Sequence, residues 1–312
     1  MEWMEPMEPI LKDSVIMEKG WIHQVKWDGI RGLCYIDHQN IRLYTRSGRE
    51  RISNYPEISV IGKQLHYKQA VLDGELIVMN NYGKPSFYMV MSRERVKRQE
   101  RLSLYLQKYP VRYMVFDILY KDGSDLRGLA LKNRRRILGT ALTDSPIIQT
   151  VSDYPNGKAL FSIMREKGME GIVSKYENST YIAGKKHHDW FKTKISRKLL
   201  AVVCGVKMKE GNVKSLILGI YREEKLFPVG NVSSGLSHKD RVILKETLPK
   251  LQQNFSPFNI KATVKDTIWF KPVLTVQVKF MEWEPTGGLR HPALLGFSSR
   301  APFEADGEEE PV

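Results

Sequence analysis

Residues 24–31 read Gln-Val-Lys-Trp-Asp-Gly-Ile-Arg: a lysine, a carboxylate two positions on, a glycine and an arginine, at the end of an apolar run. Side chains alternate along an extended chain, so Gln24, Lys26 and Asp28 fall on one face. Gly29 allows a tight turn that returns Arg31 toward that face. A lysine amine beside a fixed carboxylate and further cations can attack phosphorus once its charged form is disfavoured. The plain alternative is an exposed lysine–aspartate pair at a strand end.

Other stretches carry residues of the same kind. In residues 71–78 an apolar strand is broken by Asp73 and Glu75, which share one face. Carboxylates on a buried strand must be paired, hydrogen-bonded or metal-bound. The strand is therefore expected to line a polar cleft, with a buried structural pair as the alternative. Phe116 and Asp117, in a strand over 111–119, point to opposite faces, and Phe116 is either core or a platform for a planar base. Residues 170–175 place Glu170 and Lys175 at the two ends of another apolar strand. Lys192 and Lys194 stand on one strand face, where two like charges repel unless an anion lies between them. A phosphate is the natural filler. His187 and His188 fall in a basic turn at 184–188 and read as loop residues rather than metal ligands.

These residues need elements to hold them. Pro6 and Pro9 oppose a long helix, so residues 1–20 are expected to be an irregular lead-in. Strands follow over 21–26, 32–37 and 41–45, and Arg46 closes that meander beside Gly48. The basic run 93–101 precedes Leu102, Tyr105, Leu106 and Tyr109 at helical spacing, with Pro110 ending the helix. Its basic face is either solvated or in touch with a phosphate backbone. A short helix spans 157–167, with Gly168 in the stop position. Beyond Arg197 come strands over 199–206, 215–221 and 225–232, then a helix over 237–251 capped by Ser237. A loop at 254–257 and further strands over 267–280 complete a small barrel, for which the OB-fold is the leading candidate. The fold class is α+β. Two domains are expected, at 1–195 and 196–303, with an acidic tail at 304–312.

Composition bounds the partners. A chain of 312 residues with 42% hydrophobic content suits two ordinary cores. No run approaches the ~20 apolar residues of a membrane span, and the first residues carry acids where a signal peptide carries bases. A cytoplasmic protein without membrane contact is expected, with Cys34 and Cys204 as reduced core thiols. The net charge is +14, although five acids and no bases follow Arg300. Such a field favours a polyanion, nucleic acid foremost.

In this order the pieces resemble the ATP-dependent DNA ligases, within the covalent nucleotidyltransferase superfamily that also holds RNA ligases and mRNA-capping enzymes. K-W-D-G-I-R at 26–31 is similar to the nucleophile motif and T-R-S-G at 45–48 to the arginine–glycine motif after it. D-G-E at 73–75, F-D at 116–117, E-G-I-V-S-K at 170–175 and W-F-K-T-K at 190–194 match the remaining motifs in order. F-P-V-G-N-V-S-S-G-L at 227–236, W-F-K-P at 269–272 and L-R-H-P-A-L-L-G-F at 289–297 resemble the barrel domain of bacterial end-joining ligases, whose ligase module occurs alone or fused to polymerase and nuclease modules. Only the ligase module is expected here.

The resemblance implies an antiparallel-sheet nucleotidyltransferase (adenylation) domain followed by an OB-fold. Lys26 would attack the α-phosphorus of ATP, and the AMP would pass to the 5′-phosphate of a nick, from which the 3′-hydroxyl would displace it. Gln24 would meet the adenine, Asp28 and Gly29 belong to the nucleophile motif, and Arg31 and Arg46 would contact ribose and phosphates. Glu75 would bind ribose or metal, Phe116 would stack on adenine, and Glu170 would hold Mg2+ or Mn2+. Lys175, Lys192 and Lys194 would neutralise phosphates. The implied partners are nicked or broken double-stranded DNA and the end-joining protein Ku, with a monomer associated with the nucleoid when acting.

Two departures stand out. Gln24 replaces a glutamate that accepts from the adenine amino group in many relatives. Residues 298–301 read Ser-Ser-Arg-Ala where the family has Arg-x-Asp-Lys, with Arg300 the nearest substitute. Two other functions share these features: an RNA ligase or capping-type nucleotidyltransferase, and a catalytically silent module that binds nicks.

Overall fold

In the computed structural model, which describes residues 2–258, 266–284 and 286–310, the chain divides into two units, Met1–Ile195 and Ser196–Val312. The strands of the first unit are β1 (Glu8–Leu11), β2 (Trp21–Val25), β3 (Ile30–Asp37), β4 (Asn40–Thr45), β5 (Gln69–Val78), β6 (Val111–Lys121), β7 (Ser124–Asp125), β8 (Ile148–Thr150), β9 (Gly171–Tyr176) and β10 (Lys186–Lys194). Its helices are α1 (Ile61–Gln64), α2 (Phe87–Glu94), α3 (Gln99–Lys108), α4 (Leu131–Ala141) and α5 (Gly157–Glu166). One sheet runs β4-β3-β5-β6-β7, with β8 beside β6; the other runs β1-β10-β9-β2. Pairing is antiparallel apart from β1 with β10 and β6 with β8.

Period-two alternation decides which face each residue serves. In β3, Cys34 and Ile36 pack in one core with Leu72, Leu76 and Ile118, while Leu33 and Tyr35 pack in another with Val71, Ile77 and Trp190. Both faces of these strands are buried, which explains their nearly unbroken apolar sequence. The second core includes residues of both sheets, and Asp73 and Glu75 share the β5 face of Val71 and Ile77. In β6, Val115 pairs with Gly74 and Asp117 with Asp73, so Phe116 is an extra, bulged residue. Such a bulge re-aims a side chain. Phe116 joins the inter-sheet core, and the fully buried Asp117 takes a bidentate pair from Arg134 of α4 at 2.9 Å and 2.9 Å.

Several elements differ from the sequence expectation. The lead-in holds β1, which gains regular structure by pairing Glu8 with Lys186 and Pro9 with His187. Residues 186–188 are therefore strand rather than turn. The basic run 93–101 is the corner between α2 and α3, and α2 and α4 are additional helices. In β1 and at 186–188, local sequence yields to tertiary pairing.

The second unit is OB-fold-like, with β11 (Arg197–Lys209), β12 (Asn212–Arg222), β13 (Lys225–Val232), α6 (His238–Leu251), β14 (Gln252–Gln253), β15 (Thr267–Phe280), β16 (Ala293–Ser298) and β17 (Glu309–Glu310). The order is β13-β12-β11-β15-β14, with β16 on β15 and β17 on β11. Ser237 and Asp240 cap α6 reciprocally: the Asp240 amide donates to Ser237 Oγ at 3.1 Å, and the Ser237 amide to Asp240 Oδ2 at 2.9 Å. The acidic end belongs to this unit. Glu309 and Glu310 pair with Leu199 and Lys198, and Glu309 meets Arg197 at 2.7 Å. Residues 311–312 of the expected tail lie outside the described residues. Cys34 and Cys204 are buried free thiols, and burial pushes the Cys34 thiol up to about 12.

Removing Arg134 strands the Asp117 carboxylate in a dry interior. Arg134→Ala should cost about 3–5 kcal/mol, read as a lower urea midpoint by far-ultraviolet circular dichroism. A change within ±0.5 kcal/mol, the usual range of a surface substitution, would mean that Asp117 finds another donor or takes up a proton.

Candidate active site

Strand register sets what the cleft between the two sheets contains. Lys192 of β10 pairs with Val173 of β9, and Val173 with Gln24 of β2, making one row across three strands. The next row holds Trp190, Lys175 and Ile22. On the facing sheet, Arg31 of β3 pairs directly with Glu75 of β5. Gln24, Lys26, Arg31, Arg46, Glu75, Phe116, Lys175 and Lys192 all line the cleft, together with Glu8, Trp27, Val173 and Trp190.

Lys26 follows the end of β2, where its amide donates to Gly171 O at 3.0 Å. Its Nζ lies 2.5 Å from Glu170 Oε2, and Lys194 Nζ lies 3.0 Å from the other oxygen. Burial works to raise the Glu170 carboxyl, but the two ammonium groups outweigh it and hold it below its ordinary value. Lys192 is held below the usual lysine range by burial and by the charges of Lys26 and Lys194. Three lysines and one shared carboxylate leave an excess of positive charge, suited to phosphate.

Asp28 is buried beside Lys26. Gly29 is needed for a reason other than the expected turn. Its φ is not in the left-handed region, and a β-carbon there would strike the Leu76 carbonyl and come within 2.9 Å of Glu75 Cγ. Gly171 has φ +143°, and a β-carbon would strike Thr193 O. Both motif glycines let backbones close around the lysine and its carboxylate.

Asp73 and Glu75 separate in role. Asp73 is fully buried and takes Arg31 Nε at 2.5 Å, Arg31 Nη2 at 2.6 Å and the Tyr181 hydroxyl at 2.7 Å. Burial alone would lower Arg31, yet Asp73 raises it above the usual arginine range. Glu75 lines the cleft with no side-chain hydrogen bond among the described residues. Burial chiefly, with Glu170 and Asp73 adding to it against Lys26 and Arg31, pushes Glu75 up to about 8. A half-buried carboxyl with no partner, beside a second carboxylate, fits a hard divalent cation that prefers oxygen ligands. No group of three or more His, Cys, Asp or Glu forms a metal cluster among the described residues.

Lys175 stands apart from the other lysines. Its buried Nζ has no hydrogen-bond partner and lies 4.0 Å from the Phe116 ring centroid and 4.1 Å from that of Trp190. Arg31 sits over the same Phe116 ring at 4.5 Å. Burial, chiefly, lowers Lys175 to about 7. Arg46 is mostly exposed and pairs with Glu8 at 3.0 Å.

Gln24 is buried, and its Nε2 donates to Asp153 Oδ1 at 2.6 Å; Asp153 Oδ2 takes Arg135 Nε at 2.9 Å. The amide nitrogen is thus engaged, which leaves the carbonyl oxygen as the group's acceptor. Asp153, Arg135 and Tyr181 escape a sequence reading because no local pattern marks them. Arg300, in the second unit, is taken up by Glu304 at 2.9 Å and by Glu310.

Against known proteins, the ATP dependent DNA ligase domain matches residues 5–194, and the ATP dependent DNA ligase C terminal region matches residues 209–300. The multifunctional non-homologous end joining DNA repair protein LigD of Mycobacterium tuberculosis is 32% identical over 283 residues, 88% of this chain and 36% of that protein. The chain therefore spans little more than a third of that relative's length. The ligase domain from M. tuberculosis LigD is 30% identical with a TM-score of 0.54, over 98% of each chain. A mycobacterial DNA ligase D complexed with ATP and MES is 29% identical with a TM-score of 0.56, over 98% of this chain and 99% of that one.

The aromatic enclosure of Lys175 gives a pH signature. Its folded value of about 7 lies below the ordinary 10.5, so the unfolded chain binds more protons between those values and stability rises with pH across that window. Lys175→Met should raise the thermal midpoint most at pH 7 and below, with the gain shrinking toward pH 10. A gain independent of pH would show that the ammonium is not confined between the rings.

Proposed function

Because the chain belongs to the ATP-dependent DNA ligase family, we propose that it seals 5′-phosphate/3′-hydroxyl nicks in double-stranded DNA through a lysyl-AMP and a DNA-adenylate. The observation that carries the reading is the 2.5 Å pair between Glu170 and Lys26, which lines a cleft with other cations and Phe116. Residues 1–195 act in this reading as the adenylation domain and 196–303 as the OB-fold, with 304–312 as an acidic end.

Lys26 Nζ must lose a proton before its lone pair can bond to the α-phosphorus, and Glu170 is the nearest base. The bond to the β-phosphate oxygen breaks and pyrophosphate leaves. Lys192 and Lys194 neutralise the phosphate oxygens as charge moves outward, the positioning and charge stabilisation that phosphoryl transfer requires. Glu75, with Glu170, would hold a divalent cation, Mg2+ or Mn2+, whose charge would offset that of the triphosphate. Phe116 supports the adenine, and Gln24, tethered by Asp153, offers its carbonyl to the adenine amino group. Arg31 is committed to Asp73, so it shapes the floor of the site, and Arg46 meets the ribose or phosphates once it leaves Glu8. Lys175 acts at the base rather than at the phosphates.

The end-joining role rests on the likeness to LigD, which its own name calls an end-joining protein. Ku as a partner, a monomeric state and cytoplasmic action at the nucleoid belong to the same proposal. No helix among the described residues is long and apolar enough to cross a membrane.

Incubation with ATP and Mg2+ should add one AMP at Lys26, detectable by intact-protein and peptide mass spectrometry and removable with pyrophosphate. Lys26→Ala should abolish the adduct while leaving affinity for nicked DNA within a few-fold. Sealing retained by that variant would overturn the assignment. The raised Glu75 carboxyl adds a second test. Its folded value of about 8 exceeds the ordinary 4.5, so stability is fully present below 4.5 and is lost as pH rises through 8. Glu75→Gln should flatten that fall, and Mg2+ should restore stability near pH 8 in the unaltered protein only.

A further inference from the structure

We propose that the corner between α2 and α3 is a second nucleic-acid contact, which grips the sugar–phosphate backbone of duplex DNA without reading its sequence. Arg95, Lys97, Arg98 and Arg101 line a cavity of about 510 Å³ with Ser92 and Tyr105, and no carboxylate lines it. It shares no lining residue with the Lys26 cleft. All four cations are exposed, and none forms an ion pair among the described residues. Several other arginines of the first unit behave otherwise: Arg31, Arg46, Arg51, Arg93, Arg134 and Arg135 are each paired with a carboxylate.

Two acids near this corner, Glu94 and Glu57, are turned inward, while the exposed Glu100 in the first turn of α3 does not line the cavity. Glu94 accepts from Arg51 at 2.7 Å and from Tyr55 at 3.0 Å, and Glu57 pairs with the fully buried Arg93. Arg93 also donates to Asn54 O at 2.7 Å and Tyr109 O at 3.0 Å, and Asn54 Nδ2 donates to Val96 O at 3.1 Å. The loop carrying the cations is therefore braced from beneath, so the charges are held together despite their repulsion. Four like charges around one cavity are unfavourable until an anion neutralises them.

The cations extend over residues 95–101, which suits a linear polyanion better than a single small anion. Tyr105, half-buried and 5.7 Å from Tyr109, does not offer the free aromatic face on which a splayed base would stack. What the corner presents is charge, and charge engages the backbone. This inference rests on the reading of DNA as the substrate, and it assigns part of the affinity to a surface outside the reacting centre.

The test measures binding of the 312-residue chain to a nicked duplex by fluorescence anisotropy over a series of salt concentrations, without ATP. Each cation–phosphate pairing removed should lower the slope of log affinity against log salt by about 0.9. The triple variant R95Q/R98Q/R101Q should lower it by about two to three, with binding weakened at least tenfold at low salt. R95K/R98K/R101K should retain most of the slope, and the single variant Arg98→Gln should lower it by about one. AMP transfer to Lys26, assayed without DNA, should be unchanged in all three variants, which keeps failure of this site distinct from failure of the ligase reading. An unchanged slope in the triple variant would overturn the proposal, including the case in which the cavity instead takes inorganic phosphate or a phosphopeptide. A triple variant that loses adenylation together with DNA binding would do the same, if Arg98→Gln leaves the slope intact.

Discussion

The first unit depends on one buried ion pair. Asp73, on β5, has no access to water, and Arg31, on β3, reaches it with two nitrogens. Tyr181, from the segment between β9 and β10, donates to the same carboxylate, and Arg31 also donates to the Met7 carbonyl just before β1 at 3.2 Å. The pair thus ties the two sheets together beneath the cleft. Breaking such a pair costs far more than replacing it, because the partner left behind is a charge in a low-dielectric interior. It also places Arg31 over Phe116, so the floor of the site and its aromatic wall are set by the same interaction.

Above that floor, the site holds two groups away from their ordinary charge at neutral pH. Glu75 is pushed toward its neutral acid and Lys175 toward its neutral amine, both chiefly by burial. Neither has a hydrogen-bond partner of its own among the described residues. Groups in that condition cluster where a ligand supplies the missing interaction. Glu170 shows the opposite treatment, since two ammonium groups keep it ionised despite its burial. One cleft therefore keeps one carboxylate charged and another poised to change charge, by environment alone.

Much of this was legible in the chain because strands encode their own geometry. The spacing of Lys192 and Lys194, and of Asp73 and Glu75, fixes which side chains share a face wherever the strand happens to pair. What the spacing does not carry is the identity of the partner across the sheet. It does not show that Asp73 is consumed by Arg31 and Tyr181 while Glu75 faces the cleft. Nor does it show that Gln24 is tethered by a carboxylate 129 positions away. The bulge at Phe116 breaks the period on which the reading relied, and β1 exists only because β10 receives it. Gly29 is a related case: the residue type was informative, but the constraint was a neighbouring backbone rather than its own φ.

The carboxylate of Glu170 is divided, one oxygen to Lys26 and one to Lys194. Neither lysine is then an independent variable. Removing one hands the whole carboxylate to the other, so each single substitution alters the environment of the residue that remains. Groups sharing a partner in this way are not additive. The losses from the two single variants, measured separately, do not sum to the loss from the double variant, and the difference between that sum and the double variant's loss is the energy of sharing.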